Sequence, residues 1–193
     1  MTRVLVIDGH PDTADGHFIH AAAERYAAGA RDAGHEVRVV RVAQLDFPLL
    51  RGSQDWEQGT PCPDIARAQA DLVWSEHIVI LHPLWLGCMP ALLKGFLEQV
   101  LRPGVAVPRE RASPLGKKPL SGRSARIVVS MGMPVFFYRW FYGAHSVKLL
   151  KRNILAFCGI GPVRTSLIGM IEGKAEARTR WLEKLGQLGR AAR

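Results

Sequence analysis

The chain has 193 residues, 48% of them hydrophobic, enough for one domain with a substantial core. Lysine and arginine number 26 against 17 aspartates and glutamates, a formal net charge of +9. No zinc-finger, RRM or KH pattern accompanies that excess, and phosphate-bearing ligands can use it without nucleic acid. The three cysteines, Cys62, Cys88 and Cys158, are odd in number and far apart, which speaks against a disulfide framework or a metal knuckle and for a reducing cytoplasm. Met1-Thr2-Arg3 runs straight into an apolar strand rather than a signal peptide, and no apolar run is long enough for a bilayer, so a soluble protein is expected.

In chain order, Arg3 to Ile7 is a strand, residues 8–17 a polar loop, and Phe18 to Ala33 an alanine-rich helix ending at Gly34. A strand–loop–helix of this kind aims free N–H groups at an anion. It contains no G-x-G-x-x-G, so the Rossmann fingerprint is absent. His10 and His17 are candidates to hold a phosphate there. In the alternative, His10 is a structural strand-end residue and His17 an ordinary first-turn residue. His17 and His20 lie one helical turn apart, but zinc needs three or four convergent ligands. No acidic or cysteine partner stands at ligand spacing, so no metal is expected.

Glu36 to Val42 alternates as a second strand, and a long connection from Leu45 through Gly52, Gly59 and Pro61 leads to a helix over Asp64 to Trp74. Ile78 to Leu81 then forms an unbroken apolar run, as expected of a strand buried on both faces. Pro83 ends it, having no N–H for a central ladder. The loop Leu84-Trp85-Leu86-Gly87-Cys88-Met89 is far too apolar for a surface connection. Pro90 opens a helix in which Leu92, Leu93, Phe96, Leu97, Val100 and Leu101 recur at helical spacing, with Lys94 and Glu98 on the wet side. Ligands of open α/β sheets sit at the carboxyl ends of the strands, and an apolar loop held there suits a flat, apolar ligand. An irregular basic arm follows over 102–123. Beyond it come a strand over Ala125 to Val129, a loop Ser130-Met131-Gly132-Met133-Pro134, and an aromatic run Val135 to Tyr142 that suits core, lid or dimer surface. A helix over Ala144 to Phe157, a strand over Val163 to Met170 and a helix over Lys174 to Leu188 complete the chain.

Pro83-Leu84-Trp85 followed by Met89-Pro90-Ala91-Leu92-Leu93-Lys94-Gly95-Phe96 resembles the signature of the flavodoxin-like NAD(P)H:quinone oxidoreductases, P-L-x-W-F/Y-x-x-P-A-x-L-K-G-W/F. In that family this loop lies along the isoalloxazine ring of FMN or FAD. Leu86-Gly87 stands where the family has its second aromatic pair, so Trp85 alone remains as an aromatic beside the ring. The Gly9-His10-Pro11 opening is similar to the family's first loop, with Gly16-His17-Phe18 where its serine usually stands. Phe47-Pro48 resembles its F-x-P element and Gly104-Val105-Ala106 its G-x-A piece. Ser130-Met131-Gly132 resembles its third loop, whose backbone approaches the flavin edge. Asn153 to Gly159 resembles its I-L-x-F-C-G run. The resemblance touches all three ligand loops and covers nearly the whole chain.

It implies a flavodoxin-like, doubly wound, five-stranded parallel sheet of order 2-1-3-4-5 with helices on both faces. It also implies a homodimer and an enzyme that takes electrons from NAD(P)H through FMN or FAD to quinones or similar flat electrophiles. The cofactor-binding residues would be His10, Gly16, His17, Phe18, Pro83, Leu84, Trp85, Leu86, Gly87, Ser130, Met131 and Gly132. Tyr138 and His145 are the catalytic candidates. One rival is an ancillary subunit of a membrane potassium-efflux system, with the basic arm in peripheral membrane or transporter contact. Another is an NADP-binding Rossmann enzyme with Arg41 on the 2′-phosphate.

Overall fold

The computed structural model describes residues 1–108 and 118–193; the centre of the arm expected over 102–123 lies outside them. Five parallel strands, β1 (Arg3–Asp8), β2 (Glu36–Arg41), β3 (His77–Pro83), β4 (Ser124–Ser130) and β5 (Val163–Ile168), form one sheet in the order β2-β1-β3-β4-β5. The helices are α1 (Phe18–Asp32), α2 (Ser53–Gln58), α3 (Pro63–Trp74), α4 (Ala91–Val100), α5 (Val135–Trp140), α6 (His145–Lys148) and α7 (Ala175–Arg190). The expected topology is the observed one.

Side chains on a strand alternate between faces, and both faces of the inner strands are covered. Val4, Val6, Val79, Leu81 and Val128 pack against α1 and α7. Leu5, Ile7, Ile78, Ile80 and Ile127 pack on the opposite side with Ile65 and Leu72 of α3 and Phe96 and Val100 of α4. That is why β1 and β3 hold unbroken apolar runs while the edge strand β2 alternates.

Two segments differ from the sequence expectation. The long connection after β2 holds a 3₁₀ turn at Val42–Gln44 and the short α2. Arg102 straps it down by donating to the carbonyls of Asp55 (3.0 Å) and Gly59 (2.7 Å) and to the Gln99 side chain. The helix expected over 144–157 is α-helical only in α6 and continues as a π-helix over Leu149–Leu155, the wider turn often found near functional sites.

Helices α1 and α7 meet through glycine. A Cβ at Gly29 would stand 2.1 Å from the Gly186 carbonyl oxygen, and one at Gly189 2.1 Å from the Tyr26 carbonyl oxygen. In an exposed helix Gly→Ala stabilises by about 1 kcal/mol; here backbone would have to move. Gly29→Ala is expected to lower unfolding free energy in urea titrations by about 2 kcal/mol, the middle of the overpacking range, and the melting midpoint by roughly 4–8 °C. Unchanged or raised stability would mean the helices do not touch there.

Candidate functional site at the carboxyl ends of the strands

The carboxyl ends of β1, β3 and β4 carry residues 9–17, 84–89 and 131–134, and main-chain hydrogen bonds tie them together. Gly9 N–H donates to Leu81 O, Leu84 N–H to Ser130 O and Met131 N–H to Ile168 O, each at 2.8 Å. Pro83, which lacks an N–H, pairs with Ser130 as the last β3 residue, and Leu84 supplies the next ladder bond in its place.

The central loop is a tight hairpin. Trp85 N–H donates to Cys88 O (2.8 Å) and Cys88 N–H to Trp85 O (2.9 Å). The two residues between them, Leu86 (φ 47°) and Gly87 (φ 75°), are both left-handed, as a type I′ turn requires. Gly87 adopts this freely. For Leu86 it costs on the order of 1–2 kcal/mol, and its side chain is fully exposed at 107%, so no packing offsets the strain. Trp85 beside it is 49% exposed. An apolar tip held out in strained backbone is a feature of ligand clamps.

The first loop is a network of imidazoles and carboxylates. Buried Asp8 accepts from the His10 backbone N–H (3.1 Å) through Oδ1, and its Oδ2 lies 2.5 Å from His20 Nδ1. His20 Nε2 faces the Asp12 carbonyl at 2.9 Å, so both of its ring nitrogens meet acceptors. His17 Nε2 lies 2.9 Å from Asp12 Oδ2. The His10 ring stacks on that of His17 with centroids 3.9 Å apart and meets the edge of Trp85 at 5.9 Å, which brings the first and central loops together. Burial, then the neighbouring His17 and His20, lower the His10 pKa. The Asp12 N–H donates into His10 Nδ1 at 3.2 Å, so the neutral ring carries its proton on Nε2. The Ala14 backbone N–H, followed by the His17 ring, holds the Asp12 carboxyl below its usual range.

His17 is also the extended N-cap of α1. It makes no side-chain capping bond, and the first turn of α1 holds no acidic residue. The leading N–H groups of that 15-residue helix therefore stand open to an anion. On the third loop Ser130 and Met131 are buried. The nearest atom to a Cβ built at Gly132 is Glu172 Oε1 at 3.6 Å, so the backbone there is approachable.

The structure thus unites His10, Gly16, His17, Pro83, Leu84, Trp85, Leu86, Gly87, Ser130, Met131 and Gly132 at one sheet edge. Phe18 is different: its ring packs against the Val4–Val6 face, so only its backbone is offered to the loop. Tyr138 is buried, and its hydroxyl has no hydrogen-bond partner. Burial raises its pKa, and the Val147 backbone and Ser146 hydroxyl offset part of that without completing a bond. His145 lies exposed under Gly143, and no hydrogen bond joins it to Tyr138 among the described residues. The carboxylates absent from the sequence expectation, Asp8 and Asp12, are the partners of the histidines. An aspartate closing an apolar strand and the one-turn spacing of His17 and His20 were the available signals. Even so, among the described residues no group of three or more His, Cys, Asp or Glu is arranged to hold a metal. Arg41 is paired with Glu24 of α1 rather than free for a 2′-phosphate.

A parallel sheet of this order, with ligand loops at its β1/β3 switch point, defines the flavodoxin class of open α/β proteins. The chain belongs to the flavodoxin-like fold family, whose model matches residues 2–188. It is 28% identical over 178 residues to a Haemophilus influenzae protein named an uncharacterized NAD(P)H oxidoreductase, covering 89% of this chain and 87% of that one. Among solved structures it is similar to the NAD(P)H:quinone oxidoreductase of Methanothermobacter marburgensis, with TM-score 0.78, 19% identity and coverage of 98% of this chain and 96% of that one. It is also similar to an FMN-dependent NADH-azoreductase of Bacillus anthracis in complex with FMN, with TM-score 0.73, 15% identity and complete coverage of both chains. At these identities the two structures establish the shared fold.

Two further histidines make the sheet sensitive to acid. His82, beside the central loop, donates from Nδ1 to Pro83 O (2.9 Å), and burial pulls its pKa down to about 4. His77 falls to about 4 through burial, then through Arg126, Arg164 and His35. Above the ordinary histidine pKa of roughly 6.5 neither state is protonated. Below it the unfolded chain takes up protons that the folded one refuses. Stability is therefore lost as pH falls from about 6.5 towards 4, by on the order of 3 kcal/mol for each site. Urea unfolding between pH 7 and 4.5, run on the native chain and on His82→Leu, should show a shallower pH slope in the variant. Equal slopes would mean that His82 does not contribute to the acid sensitivity.

Proposed function

We propose that the protein is an NAD(P)H-dependent flavoprotein reductase acting on quinones or similar flat electrophiles. The observation that carries this is the juxtaposition of the Trp85–Cys88 hairpin with the uncapped start of α1. An exposed apolar plate beside an anion seat matches the two ends of a flavin nucleotide. Trp85 and Leu86 would lie against the isoalloxazine. The N–H groups around Gly16, His17 and Phe18, with the Nε2–H of His10, would hold the phosphate. The backbone of Ser130, Met131 and Gly132 would meet the polar ring edge. A bound flavin supplies the two-electron chemistry between NAD(P)H and the acceptor. The protein's share is to bind it, orient it and exclude water from one face. FMN is favoured as the form, since it is the flavin bound by the azoreductase neighbour.

The similarity to an NAD(P)H oxidoreductase along most of the chain supports an enzyme over an ancillary transport subunit. Three free cysteines support a cytoplasmic home. The apolar groove between α4 and the π-helix, lined by Leu97, Leu101, Ile154 and Phe157, supports a homodimer as the assembled form.

Purified protein reconstituted with FMN should bind about one flavin per chain, and NAD(P)H should bleach it until a quinone restores its colour. Trp85→Ala should weaken FMN binding about tenfold, the stacking contribution and its buried area together being worth on the order of 1.4 kcal/mol. The apo-protein should lose well under the roughly 3–5 kcal/mol of a core Trp truncation. A full core loss with unchanged FMN affinity would assign Trp85 to packing.

Tyr138→Phe tests the acceptor side. Removing an orphaned buried hydroxyl should leave apo stability equal or raise it by about 1 kcal/mol, while turnover with quinone falls. A drop in stability would mean that the hydroxyl is a structural hydrogen-bond donor, and unchanged turnover would remove it from the reaction.

A further inference from the structure

The aromatic run after β4 is neither core nor hairpin support. Of its rings only Tyr138 is buried, while Trp140 is 88% exposed, Phe141 72% and Phe136 68%. Three of the exposed rings form one body, and Phe136 and Trp140 share the short helix α5 with the first of them. Phe137 and Phe141 stack with centroids 4.9 Å apart, and Tyr142 stands edge-on to both. A patch of this kind on a protein surface marks an interaction site.

Its electrostatic setting is one-sided. The sequence has no Asp or Glu between Glu110 and Glu172. Arg139 lies within α5, and Lys148, Lys151 and Arg152 follow in α6 and the π-helix, all three exposed. None of these four cations has an ion-pair partner among the described residues. No helix there is long and apolar enough to cross a membrane. Exposed Trp and Phe followed in the chain by exposed, unpaired Lys and Arg are the composition of a surface that lies in the headgroup region of an anionic bilayer.

We propose that the α5–α6 face docks peripherally on anionic phospholipid membranes. Trp140, Phe141 and Phe136 enter the interface, and Arg139, Lys148, Lys151 and Arg152 meet the lipid phosphates. A second copy of the chain on this face would bring like charge against like charge. A single-stranded nucleic acid would want separate ring platforms for successive bases, whereas Phe137 and Phe141 spend their faces on each other. The inference stands on the surface alone and needs neither flavin nor turnover, so its failure would leave the proposed reductase function untouched.

The test is sedimentation of the full chain with vesicles of pure phosphatidylcholine and of phosphatidylcholine mixed with phosphatidylglycerol, at low and high salt. Binding is expected only to the anionic vesicles, weakened by salt and accompanied by a blue shift of tryptophan emission. Two variants on separate elements, Trp140→Ser with Phe141→Ser and Lys148→Glu with Lys151→Glu, should each weaken binding about tenfold or more, with unaltered melting. Equal binding to neutral and anionic vesicles, or full binding by the aromatic variant, would overturn the proposal. So would tighter binding to a single-stranded oligonucleotide, or a mass in light scattering that halves in the aromatic variant while vesicle binding persists.

Discussion

Everything at the site depends on how one short hairpin is held. The β3–β4 register sets Pro83 opposite Ser130, and the Leu84–Ser130 bond carries the ladder one step past the proline. From that fixed point the Trp85–Cys88 pair forces Leu86 and Gly87 into left-handed backbone. The buried strand thus supplies rigidity and the turn supplies exposure. Neither alone would present an indole and an isobutyl group to solvent at the end of a sheet.

Beside the hairpin, the charge pattern is arranged to receive an anion rather than to make one. Asp8 is the only buried carboxylate of the described residues, and it is committed to the His10 backbone and the His20 ring. Those contacts pin the first loop to the first turn of α1 and leave the helix start uncapped. Charge-assisted bonds in a dry setting are strong, so the loop keeps its shape through the N–H groups of His10, Asp12 and Ala14 while those that open α1 make no side-chain capping bond. His10, kept neutral by burial and by its cationic-capable neighbours, contributes a donor rather than a fixed charge.

Much of this was legible in the sequence, for physical reasons. The strands β1, β3 and β4 announced themselves because both faces are covered, and the apolar loop after Pro83 pointed to the ligand end of the sheet. What periodicity does not encode was missed. The pairing of Asp8 and Asp12 with the histidines depends on a loop folding back across twelve residues. The left-handed Leu86 has no local signature, because leucine rarely adopts that backbone. Phe18 opens α1 as expected, but its half-buried ring packs against the sheet rather than facing the loop. The switch from α6 to a π-helix over Leu149–Leu155 has no signature in the sequence pattern either.

A flavin held by three loops at the carboxyl edge of the sheet would protect all three at once. Amide hydrogen exchange of the protein with and without FMN reads that location directly. Protection should rise together in peptides covering residues 9–19, 84–89 and 130–134, with little change at the opposite edge, where Tyr26 and His77 meet. Protection confined to another surface, or to one of the three loops alone, would contradict it.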